Sequence, residues 1–121
     1  MKKIFVSVHS NAGVGRWSQA SGIETWFFHQ SKEGTKIAAI FQKHLVEHTK
    51  WINRGIKSRP REQFYVLRNT NMPAILTENG FFNNEQQVYE LMKPAIRQKI
   101  ADAHVAAILE IEEHGLSSLK T

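Results

Sequence analysis

With 121 residues, 41% of them apolar, the chain has the length of one small domain, and a second full domain is excluded. It contains no cysteine, so disulfide staples, thiolate nucleophiles and zinc-cysteine clusters are excluded and any metal must be held by nitrogen and oxygen. Sixteen Lys plus Arg against eleven Asp plus Glu give a formal charge of +5 at pH 7, which points to an anionic partner such as nucleic acid, a membrane surface or wall polymer without choosing among them.

Hydrophobic periodicity supplies the order of elements, since no repeat, low-complexity tract or Gly/Pro/Ser-rich linker divides the chain. No run nears the roughly 18 to 20 apolar residues that span a bilayer, and Met1-Lys2-Lys3 leads into only a short apolar stretch, so no membrane anchor or signal peptide is expected. Lys3 to Val8 predicts a first strand, rich in β-branched and aromatic side chains, followed by a long loop from Ser10 to Gly22. Ile23 to Phe28 predicts a second strand. Ser31 stands as N-cap to a helix in which Ile37, Ile40, Phe41 and Leu45 recur at three- and four-residue spacing, ending near Thr49. Trp51 to Gln63 reads as a loop with a basic concentration at Arg54, Lys57, Arg59 and Arg61. Phe64 to Leu67 and Ala74 to Thr77 predict the third and fourth strands. Asn84 is placed to cap a short helix from Glu85 to Met92, and Pro94 opens a last helix whose stripe Ile96, Ile100, Ala103, Ala107, Ile108 and Ile111 ends at Gly115. The order β-β-α-β-β-α-α, with near-continuously apolar strands, predicts an α/β fold: a mostly parallel sheet with helices on both faces.

His9 follows the first predicted strand and Glu78 follows the fourth. Reacting groups gather at the carboxyl ends of strands in open α/β sheets, so an imidazole and a carboxylate placed there form a candidate site. A satisfied polar histidine and a capping glutamate are the plain alternatives. Around these two residues stand five segments: Val6-Ser7-Val8-His9-Ser10-Asn11-Ala12, Gly22-Ile23-Glu24-Thr25-Trp26-Phe27, Asn53-Arg54-Gly55-Ile56-Lys57, Tyr65-Val66-Leu67-Arg68-Asn69-Thr70, and Met72 to Phe81 with Asn84. In this order they resemble the zinc-dependent N-acetylmuramoyl-L-alanine amidases of the family-3 type, which include bacterial cell-wall hydrolases and phage endolysins.

The resemblance implies hydrolysis of the amide between N-acetylmuramic acid and L-alanine in peptidoglycan, with Zn²⁺ as cofactor. It maps a zinc-ligand role onto His9 and the catalytic carboxylate onto Glu78. Neutral imidazole suits zinc, and the metal lowers the pKa of a bound water towards about 7 while a carboxylate accepts its proton. Substrate contacts are expected at Asn11, Trp17, Glu24 and Arg54. Trp17 is suited to lie against a glycan ring, the alternative being an exposed aromatic without a role, and Glu24 reads as structural or substrate-facing.

The family's other two zinc ligands, a histidine in a G-H-G-G-like turn and a glutamate ahead of His9, have no counterpart here. The sequence is therefore expected to match the C-terminal part of the family domain, with an incomplete zinc site. Among the other histidines, His44 and His48 share a helix face as a possible metal pair, and His29 is the least remote substitute ligand. His104 reads as a core-edge residue and His114 as helix-terminal. The competing functions are a non-catalytic peptidoglycan-binding or regulatory fragment and one half of a split amidase. No nucleic-acid motif accompanies the charge. An uncovered first strand predicts either a homo-oligomer or a complementary N-terminal fragment as partner.

Overall fold

The computed structural model describes residues 3–60, 67 and 71–118. The elements are β1 (Phe5–Asn11), β2 (Ile23–Phe27), α1 (Lys32–Thr49), β3 (Asn53–Lys57), β4 (Ala74–Phe81), α2 (Glu85–Leu91) and α3 (Pro94–His114), followed by a 3-10 turn (Gly115–Ser118). The strands lie in the order β1-β4-β2-β3. β1 is parallel to β4 and β2 to β3, while β2 and β4 are antiparallel, so the sheet is mostly parallel as expected.

Helices α1, α2 and α3 begin and end where local chemistry directs. Ser31 Oγ accepts the Gly34 amide at 2.9 Å and Asn84 Oδ1 accepts the Gln87 amide at 3.0 Å, so both expected caps form. Pro94 opens α3, and Gly115 follows its last residue with φ of 64°. One face of the sheet, carrying Ile23 and Ile75, packs against Ile37, Ile40, Phe41 and Leu45 of α1 and Ile100, Ala103 and Ala107 of α3. On the second face Leu67 packs with Ala74 and Leu76, and Trp26 lies partly buried beside them.

The strands differ from the expectation in extent and in one element. The stretch 51–63, read as a loop, contains β3, which forms the edge beside β2. β3 has one large apolar residue, Ile56, and Gly55 adopts φ of 83°, so it lacks the apolar run that marks a buried strand. The strand expected at Phe64 to Leu67 falls outside the described residues except for Leu67, which is helical and serves as cover for the second face. β1 and β4 also run further than expected, to Asn11 and Phe81, which places His9 and Glu78 within strands and not after them.

β1 occupies the other edge, with Val8 59% exposed. Beside it an apolar cleft of about 650 Å³ is lined by Ile4, Val6, Ile37, Phe41, Ile108 and Leu116, among others. Among the described residues no helix is long and apolar enough to cross a membrane.

Candidate active site

Strand alternation decides which side chains meet. Thr25 bonds Gln42 on α1 and Thr77 bonds His104 on α3, so these threonines face the helices. Their neighbours Glu24 and Glu78 therefore project from the opposite face. The ladders set the rest: Glu78 is paired with His9 on one side and with Glu24 on the other.

Glu78 and Glu24 line a cleft of about 630 Å³ together with Asn11, Trp26, Arg54, Lys57, Arg59 and Phe81. Glu24 is buried and fully engaged. Arg54 Nε donates to its Oε1 at 2.8 Å, and the Trp26 indole Nε1 donates to its Oε2 at 2.6 Å. The Arg54 guanidinium also lies 4.8 Å from the centre of the Phe81 ring, and that of Arg59 lies 5.2 Å from the Trp26 ring. Glu78 is only 6% exposed. Burial pushes its carboxyl up to about 7, with the negative charge of Glu24 adding to the effect.

A single loop forms one wall of this cleft. Asn83 holds it: its Oδ1 accepts the Gly13 amide at 2.8 Å, and its Nδ2 donates to the carbonyls of Gly13 and Gly15 at 2.8 and 3.1 Å. The Ser18 amide donates to the Asn83 carbonyl at 2.8 Å. At the base, the buried Gln87 Oε1 accepts two amides, from Gly22 at 2.9 Å and Phe81 at 2.7 Å. Gly22 must be glycine, since it has φ of 116° and a Cβ would stand 2.4 Å from the Ile52 carbonyl oxygen.

The structure thus brings together four of the six residues singled out from sequence: Glu78, Glu24, Arg54 and Asn11. The Asn11 carboxamide accepts the Ala12 amide and shapes the turn beside the cleft. His9 stands beside Glu78 in the ladder, yet it is exposed, its Nε2 lies 2.8 Å from Ser7 Oγ, and it is not among the cleft-lining residues. Trp17 lines a separate cleft on the other side of the loop. Lys57 and Arg59, read from sequence with Arg54 and Arg61 as either a solvated loop or a substrate-binding patch, line this cleft, whereas Trp26 and Phe81 have no such reading from sequence. For Trp26 the usable signal was its two-residue spacing from Glu24, which puts both on one strand face.

The remaining histidines are dispersed. Because β2 opposes β4, His29 lies at the far end of the sheet from Glu78, with Nδ1 3.3 Å from Ser58 Oγ. His44 meets Glu110 at 2.7 Å, an acidic partner from α3, and His48 bonds the His44 carbonyl. His104 donates through Nδ1 to the Ile100 carbonyl, and burial lowers its pKa. His114 lies 3.4 Å from Glu113 at the end of α3. Among the described residues no group of three or more His, Asp or Glu side chains could hold a metal ion.

Comparison with known proteins identifies the family and the fold. The chain is 36% identical over 107 residues to the uncharacterised protein YqiI of Bacillus subtilis (strain 168), covering 87% of this chain and 49% of that one. It is 35% identical over 114 residues to the endolysin of Bacillus phage SPP1, covering 89% and 40%. Among solved structures, an N-acetylmuramoyl-L-alanine amidase from Clostridium difficile 630 superposes with a TM-score of 0.83 at 32% identity, covering 92% of this chain and 58% of that one. The chain spans about half the length of these relatives. Residues 1–110 match the family model for N-acetylmuramoyl-L-alanine amidase, and the chain belongs to that family.

Proposed function

We propose that the chain forms part of a peptidoglycan hydrolase that cleaves the amide between N-acetylmuramic acid and L-alanine, with Glu78 as the proton-transfer group. The observation that carries this reading is a carboxyl raised to about 7 in a cleft on a family-matched sheet. A group balanced near neutrality accepts a proton from attacking water and returns it to the leaving amine with little thermodynamic penalty in either direction. Glu24, fixed by Arg54 and Trp26, keeps negative charge beside Glu78 without touching the reacting atoms. Lys57 and Arg54 suit the carboxylates of an acidic stem peptide. Asn11 borders the same cleft as a further substrate contact.

His9 is proposed as one ligand of the zinc that, when bound, would supply Lewis-acid activation of the water. A catalytic zinc takes three protein ligands, and the described residues hold no such group. They do not by themselves fit the metal, so the steps assigned here belong to Glu78 and its neighbours. The open edge of β1 and the apolar cleft beside it support a complementary segment or a second copy as the partner that completes the site.

The test is release of new N-terminal L-alanine from purified peptidoglycan, with and without a complementary chain. Poor cleavage alone, restored cleavage in the complex and loss in Glu78→Gln with zinc still bound are expected. Undiminished cleavage by Glu78→Gln in an active complex would remove the assigned role. Light scattering reads association; a well-folded monomer with no concentration dependence, alone or mixed, removes the partner reading.

A further inference from the structure

On the far side of the Asn83-held loop, Trp17 and Tyr89 flank a cleft of about 580 Å³ whose other walls are Ser18, Gln19, Asn84, Glu85 and Gln86. We propose that this cleft binds the glycan strand, taking N-acetylhexosamine rings against its two aromatic faces. The identity of the glycan rests on the amidase reading above; the sugar chemistry of the cleft does not.

Trp17 is 60% exposed and Tyr89 65% exposed, so neither ring contributes to the core. Leaving such area in water is unfavourable, and amphipathic rings of this kind are suited to stacking on the C–H face of a pyranose. Trp17 is not on a loose tip. The Gly15 carbonyl before it and the Ser18 amide after it are both bonded to Asn83, and Asn84 Nδ2 donates to the Ser18 carbonyl at 3.2 Å. The loop backbone is therefore fixed before any ligand arrives, which lowers the ordering cost of binding. Lys93 covers the Tyr89 ring at 4.8 Å and restrains it in turn.

The polar groups decide between sugar and peptide. Gln19 and Gln86 bring neutral amides that make no side-chain hydrogen bond within the described structure, leaving donors and acceptors for hydroxyl and acetamido groups. Among the described residues no cation lines the cleft itself, Lys93 standing over the Tyr89 ring, and Glu85 would repel an acidic peptide. The cations stand instead in the Glu78 cleft. Ser18 lines both clefts, so a substrate can present its sugars on one side of the loop and its peptide on the other.

The indole N–H signals provide the test. The Trp26 and Trp51 indoles are bonded to Glu24 and Glu90 within the protein, whereas Trp17 is exposed. Titrating the ¹⁵N-labelled chain with a β-1,4-linked N-acetylglucosamine tetramer, which carries no peptide, is expected to move the Trp17 signal saturably and leave Trp26 in place. Tyr89→Ala, which retains the reporter, is expected to weaken binding about tenfold. A Trp17 signal unmoved at millimolar sugar, or one moved equally by a stem peptide without sugar, overturns the proposal; so does displacement of Trp26 in its place. Sugar binding by the chain with no peptidoglycan cleavage even in the complex would fault the amidase reading alone, and cleavage by the complex without sugar binding would fault this inference alone.

Discussion

Replacing Glu78 by Gln offers a measurement independent of metal or substrate. Folding raises the proton affinity of this carboxyl from 4.5 to about 7, because the buried anion loses water and faces Glu24. The sign follows from linkage: protonated Glu78 is favoured in the folded chain, so its contribution is fully present below pH 4.5 and is lost as pH rises through 7. The full difference corresponds to about 3 kcal/mol between acidic and alkaline pH. Gln resembles the protonated acid in size and charge. Glu78→Gln should therefore match the wild type near pH 4.5 and exceed its stability by up to about 3 kcal/mol at pH 8.5, roughly 10 °C in Tm for a chain of this size. Urea unfolding of both proteins, followed by circular dichroism in chelator-containing buffers from pH 4.5 to 8.5, isolates the effect because the histidines titrate in both. Parallel stability curves across that range would refute the assignment of a buried, proton-holding carboxyl.

Glu24→Gln should lower the Glu78 midpoint without returning it to 4.5, since burial outranks the neighbouring charge; carboxyl NMR reads both changes. His104, held between Thr77 and Ile100, should titrate below 6.5, so its contribution to stability is lost as pH falls under that value; an imidazole midpoint above 6.5 contradicts it. Gln87→Ala strands the buried Gly22 and Phe81 amides and should cost roughly 2 to 4 kcal/mol by chemical denaturation, against less than 1 for a surface change such as Gln98→Ala. Asn83→Ala should speed hydrogen exchange at Gly13 while leaving the α1 core amides protected; unchanged exchange there would show that the loop is held by other means.

The helices were legible because their information is local. Ser31, Asn84 and Pro94 mark starts through single side-chain groups, and the Ile37 to Leu45 spacing names the buried face directly. β4 was legible as a core strand through Ala74 to Thr77, but its polar half, Glu78-Asn79-Gly80, hid the continuation. Glu78 pairs with both neighbouring strands, Asn79 with Ile23 of β2, and the Gly80 amide donates to the Gly22 carbonyl, long-range partners that no local pattern reveals. β3 was missed for the same reason: Asn53-Arg54-Gly55 has poor strand propensity and is held by pairing to β2 and by Gln42, whose Nε2 donates to Asn53 Oδ1 at 2.8 Å. At the site, resemblance and position single out Glu78, and Glu24 is legible as structural or substrate-facing, but its electrostatic effect on Glu78 follows only from the antiparallel ladder that places the two opposite.

That ladder has a consequence for how the site is sensed. β2 enters the sheet against the direction of β4, and alternation assigns Ile23 and Thr25 to the helices while Glu24 meets Glu78. A slip of one residue would exchange a carboxylate for a methyl-bearing side chain beside Glu78 and remove the anion that helps hold its proton. The acidity of a single side chain is thus a gauge of strand alignment. Any mutation, partner or stress that loosens the β2–β4 pairing should appear first as a fall in that acidity midpoint, before the overall secondary structure changes.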